Sequence, residues 1–285
     1  MNLHTINTGL FKLDGGAMFG VVPKVLWSRH IEPDENNLCT WSTRCLLIEN
    51  DNQLILIDTG LGDKQSEKFF GYYYQSETKS IESALNEKGF TTDDVTDVIL
   101  THLHFDHCGG AIKWNKDKTG YVPTFKNATY WSNQNHWKWA TEPNARERAS
   151  FLKENILPIQ ESGQLKFIDQ SDFISSTPFD NMEMVFVNGH TESMMLPLLD
   201  IKGQKILYTA DLFPSTVHIP IAWVMGYDTR PLLTLDEKKK TLDLASKENW
   251  IFLFEHDAYT ECCTLKSTEK GVFKDAVLKL NEVVS

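Results

Sequence analysis

The chain has 285 residues, a hydrophobic content of 41% and a formal net charge of −11, enough apolar sequence for one large domain with its own core. No run approaches the roughly 18 uninterrupted apolar residues of a membrane helix, and excess acid works against phosphate-backbone binding, so a small molecule is expected as partner rather than a membrane or nucleic acid. Five cysteines without a Cys-x-x-Cys pair, and an N-terminus without a basic start and apolar run, read as reduced thiols in a cytoplasmic protein.

Leu13–Ile31, with Gly15, Gly16, Gly20 and Pro23 among apolar residues, fits no simple period. Cys45–Glu49 and Leu54–Ile57 read as strands joined by the turn Asn50-Asp51-Asn52. Ile81, Ala84 and Leu85 at helical spacing predict a helix over Ser80–Lys88, ended by Gly89. Val95–Leu100 reads as a strand, and His136 within Trp131–Trp139 falls on a helix with no catalytic part. Pro143–Leu157 is a predicted helix, followed by strands at Leu165–Ile168 and Met184–Val187. Leu196–Leu199 and Lys205–Thr209 flank Ile201-Lys202-Gly203-Gln204 as a hairpin. Pro214–Pro231, containing His218, Trp223 and Tyr227, is again irregular; loops of this kind border active sites, cover cores or form subunit contacts, a homodimer among them. Leu235–Ser246 is a predicted helix, Trp250–Phe254 a strand and Val272–Val283 a final helix. Alternating strands and helices, without repeats or low-complexity linkers, imply layered α/β architecture in a single domain, residues 1–285.

Five apolar strands run straight into ionisable residues. Leu54–Ile57 precedes Asp58, and Val98–Thr101 precedes His102, His104, Asp106 and His107. Met184–Val187 leads to His190, Ile206–Ala210 to Asp211, and Ile251–Glu255 to His256. In open α/β sheets, sites gather beyond the carboxyl ends of strands, so these groups are expected on one patch. In an extended strand end, residues 102 and 104 project to one side, while Asp106 and His107 follow at a turn and can face a second ion. Gly109 and Gly110 permit that turn and a close helix start. Imidazole and carboxylate without thiolate suit zinc, with manganese, iron, cobalt and nickel as alternatives. Cys108 reads as a small filler beside His107.

His102-x-His104-x-Asp106-His107, Gly189-His190-Thr191, Ala210-Asp211, Glu255-His256-Asp257 and Asp58-Thr59-Gly60 resemble the motifs of the metallo-β-lactamase superfamily in order and spacing. The resemblance implies an αββα sandwich with a dinuclear metal site at one edge. It implies that His102, His104 and His190 hold one metal, that Asp106, His107 and His256 hold the other, and that Asp211 bridges them. Asp58 then orients ligands. His104 stands where the oxygen-reducing di-iron branch carries Glu, which favours hydrolysis. Together with Leu13-Asp14-Gly15-Gly16, the pattern is most similar to the branch of N-acyl-homoserine lactonases and methyl parathion hydrolase-like enzymes. Two departures stand out: the lactonases' tyrosine after the bridging aspartate is absent from Asp211-Leu212-Phe213-Pro214, and Gly-His-Thr-Pro-Gly is here Gly189-His-Thr-Glu-Ser193.

The resemblance implies two divalent ions, zinc foremost, and a hydroxide shared between them that attacks a small ester or lactone. Asp106 would orient it or carry a proton, and Asp211 would serve catalysis as the bridge. His218 is a further catalytic candidate, as substrate contact or acid, against an exposed loop histidine. Trp27, Phe19, Trp223 and Met225 form either an acyl pocket or core, and Tyr72-Tyr73-Tyr74 either a pocket rim or surface cover. Phosphotriester or phosphodiester hydrolysis stays open. So does glyoxalase II-like thioester hydrolysis, for which Lys238-Lys239-Lys240 is the one compact basic run, and a metal-binding protein without turnover is the reading from another class.

Overall fold

The computed structural model describes residues 1–283. They form two compact units, Met1–Gly9 with Thr43–Ser171, and Leu10–Ser42 with the chain from Asp172 onward. Two strands contribute residues to both units, β1 (Asn2–Asp14) and β2 (Leu38–Asn50).

The first unit continues with β3 (Gln53–Ile57), β4 (Asp97–Ile99), the small hairpin of β5 (Ile112–Trp114) and β6 (Tyr121–Pro123), then β7 (Thr129–Ser132) and β8 (Leu165–Phe167). Its main sheet has the order β1-β2-β3-β4-β7-β8. β2 and β3 are antiparallel, joined by the expected turn, while β3, β4, β7 and β8 run parallel. Alternate residues Cys45 and Leu47 of β2, and Leu54 and Leu56 of β3, enter one core with Ile81, Leu85 and Ile156 from helices Ile81–Asn86 and Lys153–Glu161. Ser80 caps the first of these helices through Ser83 N–H, and Gly89 follows it at φ 85°.

The second unit holds β9 (Ile174–Ser176), β10 (Met182–Val187), β11 (Met194–Ile201), β12 (Gln204–Tyr208), β13 (Ile251–Leu253), β14 (Cys262–Thr268) and β15 (Gly271–Leu278). They form one sheet in the order β15-β14-β13-β12-β11-β10-β9. β10–β11 and β11–β12 are antiparallel and β12–β13 is parallel. β10, β12 and β13 therefore run the same way and end at the same edge.

Two expected helices are corrected. The segment predicted as helical over Pro143–Leu157 is a series of turns up to Ser150, and the helix is Lys153–Glu161. Asn144 Oδ1 takes the N–H groups of Arg146 and Glu147 at 2.8 and 3.1 Å, so a side chain competes with the helical ladder. The final helix is instead β15 and a single turn, Leu280–Val283. Val272, Phe273, Ala276 and Val277 mimic a helical period, but pairing with β14 (Ser267 with Val272, Lys266 with Phe273) decides their conformation. All five cysteines are buried thiols outside any disulfide, and among the described residues no helix is long and apolar enough to cross a membrane.

Candidate metal centre

In the first unit, the parallel pairing of Ile57 with Ile99 sets the ends of β3 and β4 side by side. Asp58 follows at φ 56° and is completely buried. Its carboxylate accepts from Thr101 N at 2.8 Å, Thr101 Oγ1 at 2.7 Å and His107 Nδ1 at 3.1 Å. Because the Thr101 hydroxyl proton goes to Asp58, its oxygen can only accept from His102 Nδ1, 3.1 Å away. His102 and His107 are thereby both set as Nδ1–H tautomers, with Nε2 as the acceptor nitrogen. His102 Nε2 then faces His104 Nδ1 at 3.1 Å, and His107 Nε2 lies 3.9 Å from Asp106 Oδ2.

Glycines hold this loop by close approach. Gly109 has ordinary right-handed helical backbone (φ −58°), so the turn itself does not require it. A Cβ there would strike the Leu61 carbonyl, and one on Gly110 would strike that of Thr59. Through these contacts the Asp58–Gly62 segment lies directly on the helix Phe105–Cys108, with Thr59 N donating to His107 O at 2.7 Å. His136, in helix Gln134–Thr141, accepts the Leu103 N–H at 2.8 Å and pins the peptide between His102 and His104.

In the second unit, the ends of β12 and β13 are adjacent through the pairing of Tyr208 with Leu253. Ala210 takes a left-handed conformation (φ 39°) before Asp211, strain of about 1–3 kcal/mol of the sort that collects at functional sites. The two Asp211 oxygens meet two different imidazoles: Oδ2 is 3.1 Å from His190 Nε2, and Oδ1 is 3.1 Å from His256 Nε2. The far nitrogens are fixed too, His190 Nδ1 by Asp228 at 3.0 Å and His256 Nδ1 by the Ser42 carbonyl at 2.8 Å. Asp211, His190, His256 and Asp228 are all buried.

The departures around His190 have local explanations. Ser193 stands at φ 50°, a position that suits glycine, and its N–H bonds Asn188 Oδ1 at 2.9 Å. Glu192 pairs with Arg230 at 2.6 Å. Glu237 accepts the N–H groups of Asn188 and Gly189 at 2.6 and 2.9 Å. Phe213, in the stretch where a tyrosine was missed, is buried against Phe252 at 5.0 Å between ring centroids.

His218 is not an exposed loop residue. It is 1% exposed, stacks on Phe19 at 4.8 Å, and engages Ser215 Oγ through Nδ1 and the Met18 carbonyl through Nε2. Burial pushes its imidazole down to about 3, so the ring is neutral at neutral pH. Phe19, Trp27 and Met225 are buried together with it, Phe19 stacked on Trp27 at 5.0 Å, which is core packing. Tyr72 and Tyr74 are exposed, whereas Tyr73 packs on Phe69 and Phe105 at 5.1 and 4.8 Å. Burial, and then the Asp106 charge, push its phenol up to about 12. Cys108 is fully buried, and burial raises its thiol to about 12, the state of a filler. Asp228, Glu237 and His136 were not found from sequence; no motif marks them.

The pattern of the metallo-beta-lactamase superfamily matches residues 40–256. An N-acyl homoserine lactonase of Bacillus thuringiensis is 26% identical over 243 residues, covering 79% of this chain and 84% of its own. Among solved structures, a probable metal-dependent hydrolase from Staphylococcus aureus superposes with a TM-score of 0.87 at 29% identity, over 97% of this chain and 96% of that one. The dizinc quorum-quenching lactonase AidC superposes with a TM-score of 0.78 at 20% identity, over 97% and 95%, a likeness of fold.

Proposed function

The chain belongs to the metallo-beta-lactamase superfamily, and on that premise we propose that it is a dinuclear metal-dependent hydrolase of small, apolar lactones or esters. The observation that carries the reading is Asp211, whose two oxygens each stand 3.1 Å from a different imidazole Nε2. A carboxylate that addresses two lone pairs fits a bridge between two cations. The donor set agrees: His102 Nε2 and His104 Nδ1 lie 3.1 Å apart, and with the His102 proton on Nδ1, a cation suits the space these nitrogens face. In this reading His102, His104 and His190 hold one ion, Asp106, His107 and His256 the other, and Asp211 both. Zinc is the first choice for such ligands. We propose further that the two units act as one domain, since β1 and β2 contribute residues to both.

The ions would supply Lewis acidity and a water whose pKa falls toward about 7. The chain's own groups do the rest. Asp58, Thr101, Asp228 and the Ser42 carbonyl keep the Nδ1 protons of His107, His102, His190 and His256 in place, so the Nε2 atoms of these four would need no proton loss when ions enter. Asp106, whose carboxylate keeps some access to solvent, carries a proton to the leaving oxygen. The Tyr73 hydroxyl, kept protonated, donates to the substrate carbonyl in place of the tyrosine missing near Phe213. His218 braces the 215–218 turn instead of transferring a proton. The 26% identity to a lactonase over most of the chain supports lactones as the first substrates to try.

The test is hydrolysis of an acyl-homoserine lactone series, followed as acid release, by protein reconstituted with zinc or manganese. Two equivalents of metal and turnover are expected, both reduced in Asp211→Asn and abolished by chelation. Absence of turnover from protein carrying two equivalents would reject the lactone reading and bring phosphotriesters and thioesters forward.

A further inference from the structure

β10 ends at Val187 and β11 begins at Met194, and the loop between them carries His190. One stretch of chain, residues 228–237, grips that loop as it runs into the helix Pro231–Glu248. Asn188 N and Gly189 N donate to Glu237 Oε1 and Oε2 at 2.6 and 2.9 Å. The Asn188 carbonyl accepts from Arg230 Nη1 at 2.6 Å, the Gly189 carbonyl from Arg230 N at 2.8 Å and the His190 carbonyl from Thr229 N at 3.1 Å. Every backbone polar group of Asn188 and Gly189 is thus taken by this stretch. Asp228, at its start, engages the His190 ring through Nδ1 at 3.0 Å.

Glu237 stands out among these contacts. It is 7% exposed and shares the packed face of the helix with buried Thr234, Lys238 and Thr241, positions where a core-facing helix carries apolar side chains. A carboxylate in such a place is costly unless donors meet its oxygens. Here each oxygen meets one of two successive backbone N–H groups, the arrangement of an anion-binding nest filled by a side chain of the same chain.

We propose that Glu237 is a positioning residue for His190: its carboxylate, seated on the N–H groups of Asn188 and Gly189, fixes the backbone from which the ring reaches Asp211. The inference rests on the metal-binding reading above, and it concerns where His190 stands, not which nitrogen carries its proton. The 188–189 peptide is held at both ends, its carbonyl by Arg230 and its N–H by Glu237. It cannot rotate without breaking a bond to a charged group, and the mount behind it is a helix of 18 residues.

Glu237→Gln and Glu237→Ala separate positioning from the filling of space. Glutamine matches the shape of glutamate but has one acceptor oxygen, so its NH₂ must face the second N–H, donor against donor. Alanine leaves room for water to serve both N–H groups. Stripped wild type and variants are titrated with zinc against a chelator, and their metal-free unfolding midpoints are recorded. Wild type is expected to take two equivalents. In Glu237→Gln one equivalent is expected to bind about 10–100-fold more weakly while the other keeps its affinity, with glutamine no better than alanine. Glutamine that restores the affinity alanine loses, or wild-type affinity for both equivalents in both variants, overturns the proposal. Equal weakening of both equivalents in step with a lower metal-free midpoint is what a merely structural role gives, and overturns it too. Amide exchange in metal-free wild type keeps the test open if the variants do not fold. The Asn188 and Gly189 N–H groups are expected to exchange as slowly as those of β10, and exchange at the rate of an open loop overturns the proposal. A wild type that takes up no zinc overturns the metal-binding reading and this inference together. It shows before any variant is made, so it is told apart from a failure of this inference alone, and no readout depends on lactone turnover.

Discussion

Gly189→Ala isolates the link between packing and the candidate site. Gly189 has no positive φ, so alanine is acceptable to its backbone. A Cβ there would lie 2.5 Å from Thr234 N and 2.7 Å from Thr234 Cα, about an ångström inside the 3.4–4 Å of ordinary contact. These are backbone atoms in the first turn of the helix Pro231–Glu248 and cannot rotate aside. That turn is tied to the same loop by Arg230 N to the Gly189 carbonyl at 2.8 Å and Thr229 N to the His190 carbonyl at 3.1 Å. Overpacking of this kind costs about 1–3 kcal/mol, and each hydrogen bond broken in the escape adds about 1 kcal/mol. A total of roughly 2–5 kcal/mol corresponds to a fall in unfolding midpoint of about 4–20 °C, at about 2–4 °C per kcal/mol for a chain of this class. Thermal unfolding should be recorded on stripped and zinc-loaded protein beside Gly203→Ala. At Gly203 a Cβ meets nothing within 4 Å and only the φ of +88° is unfavourable. Since the displaced loop carries His190, the stabilisation that zinc confers should shrink in Gly189→Ala and persist in Gly203→Ala. A Gly189→Ala protein within a degree of wild type, with full zinc stabilisation, would refute the reasoning.

Two further outcomes are expected. Tyr73→Phe should lower kcat for lactones about 100–1,000-fold, the size of a lost donor at a developing charge, while metal content stays at the wild-type level; unchanged kcat would remove Tyr73 from the site. Lys238 is buried, donates to the carbonyls of Pro220 and Trp223 at 2.9 and 2.7 Å, and is pushed by burial from 10.5 down to about 7. Between those values the unfolded chain binds more protons than the folded one, so this lysine makes stability rise with pH, by up to about 1.4 kcal/mol per unit. Relative to Lys238→Met, the wild-type urea midpoint should therefore climb between pH 7 and 9, and parallel curves would refute it.

The strands with strong apolar runs were legible, because burial on a sheet is what their sequence encodes. Gln53–Ile57, Met182–Val187 and the hairpin Met194–Tyr208 match their predicted positions. What was missed depends on partners distant in sequence. The 13 residues of Asn2–Asp14 form an edge strand of mixed burial with a weak alternating signal. Gly271–Leu278 reads as helical until β14 is placed beside it, because most of its side chains are exposed and no core face imposes a period of two. The Pro143–Leu157 helix failed on one residue, Asn144, whose side chain offers the backbone an alternative. Such local competition is invisible to apolar periodicity.

The candidate site divides along a similar line. Residues that follow apolar strands, such as Asp58, His102, Asp211 and His256, announce themselves by position. The groups behind them do not. Asp228, which engages His190 Nδ1 at 3.0 Å, lies in an irregular stretch 38 residues further along the chain. An imidazole can serve as a ligand only at the nitrogen that lacks a proton, so which nitrogen His190 offers is decided by this distant partner as much as by the histidine itself. Thr101 shows how far the dependence runs: its single proton is claimed by Asp58 at 2.7 Å, which makes its oxygen an acceptor and fixes His102. Replacing Asp58 would therefore act on two candidate ligands at once, His107 directly and His102 through Thr101.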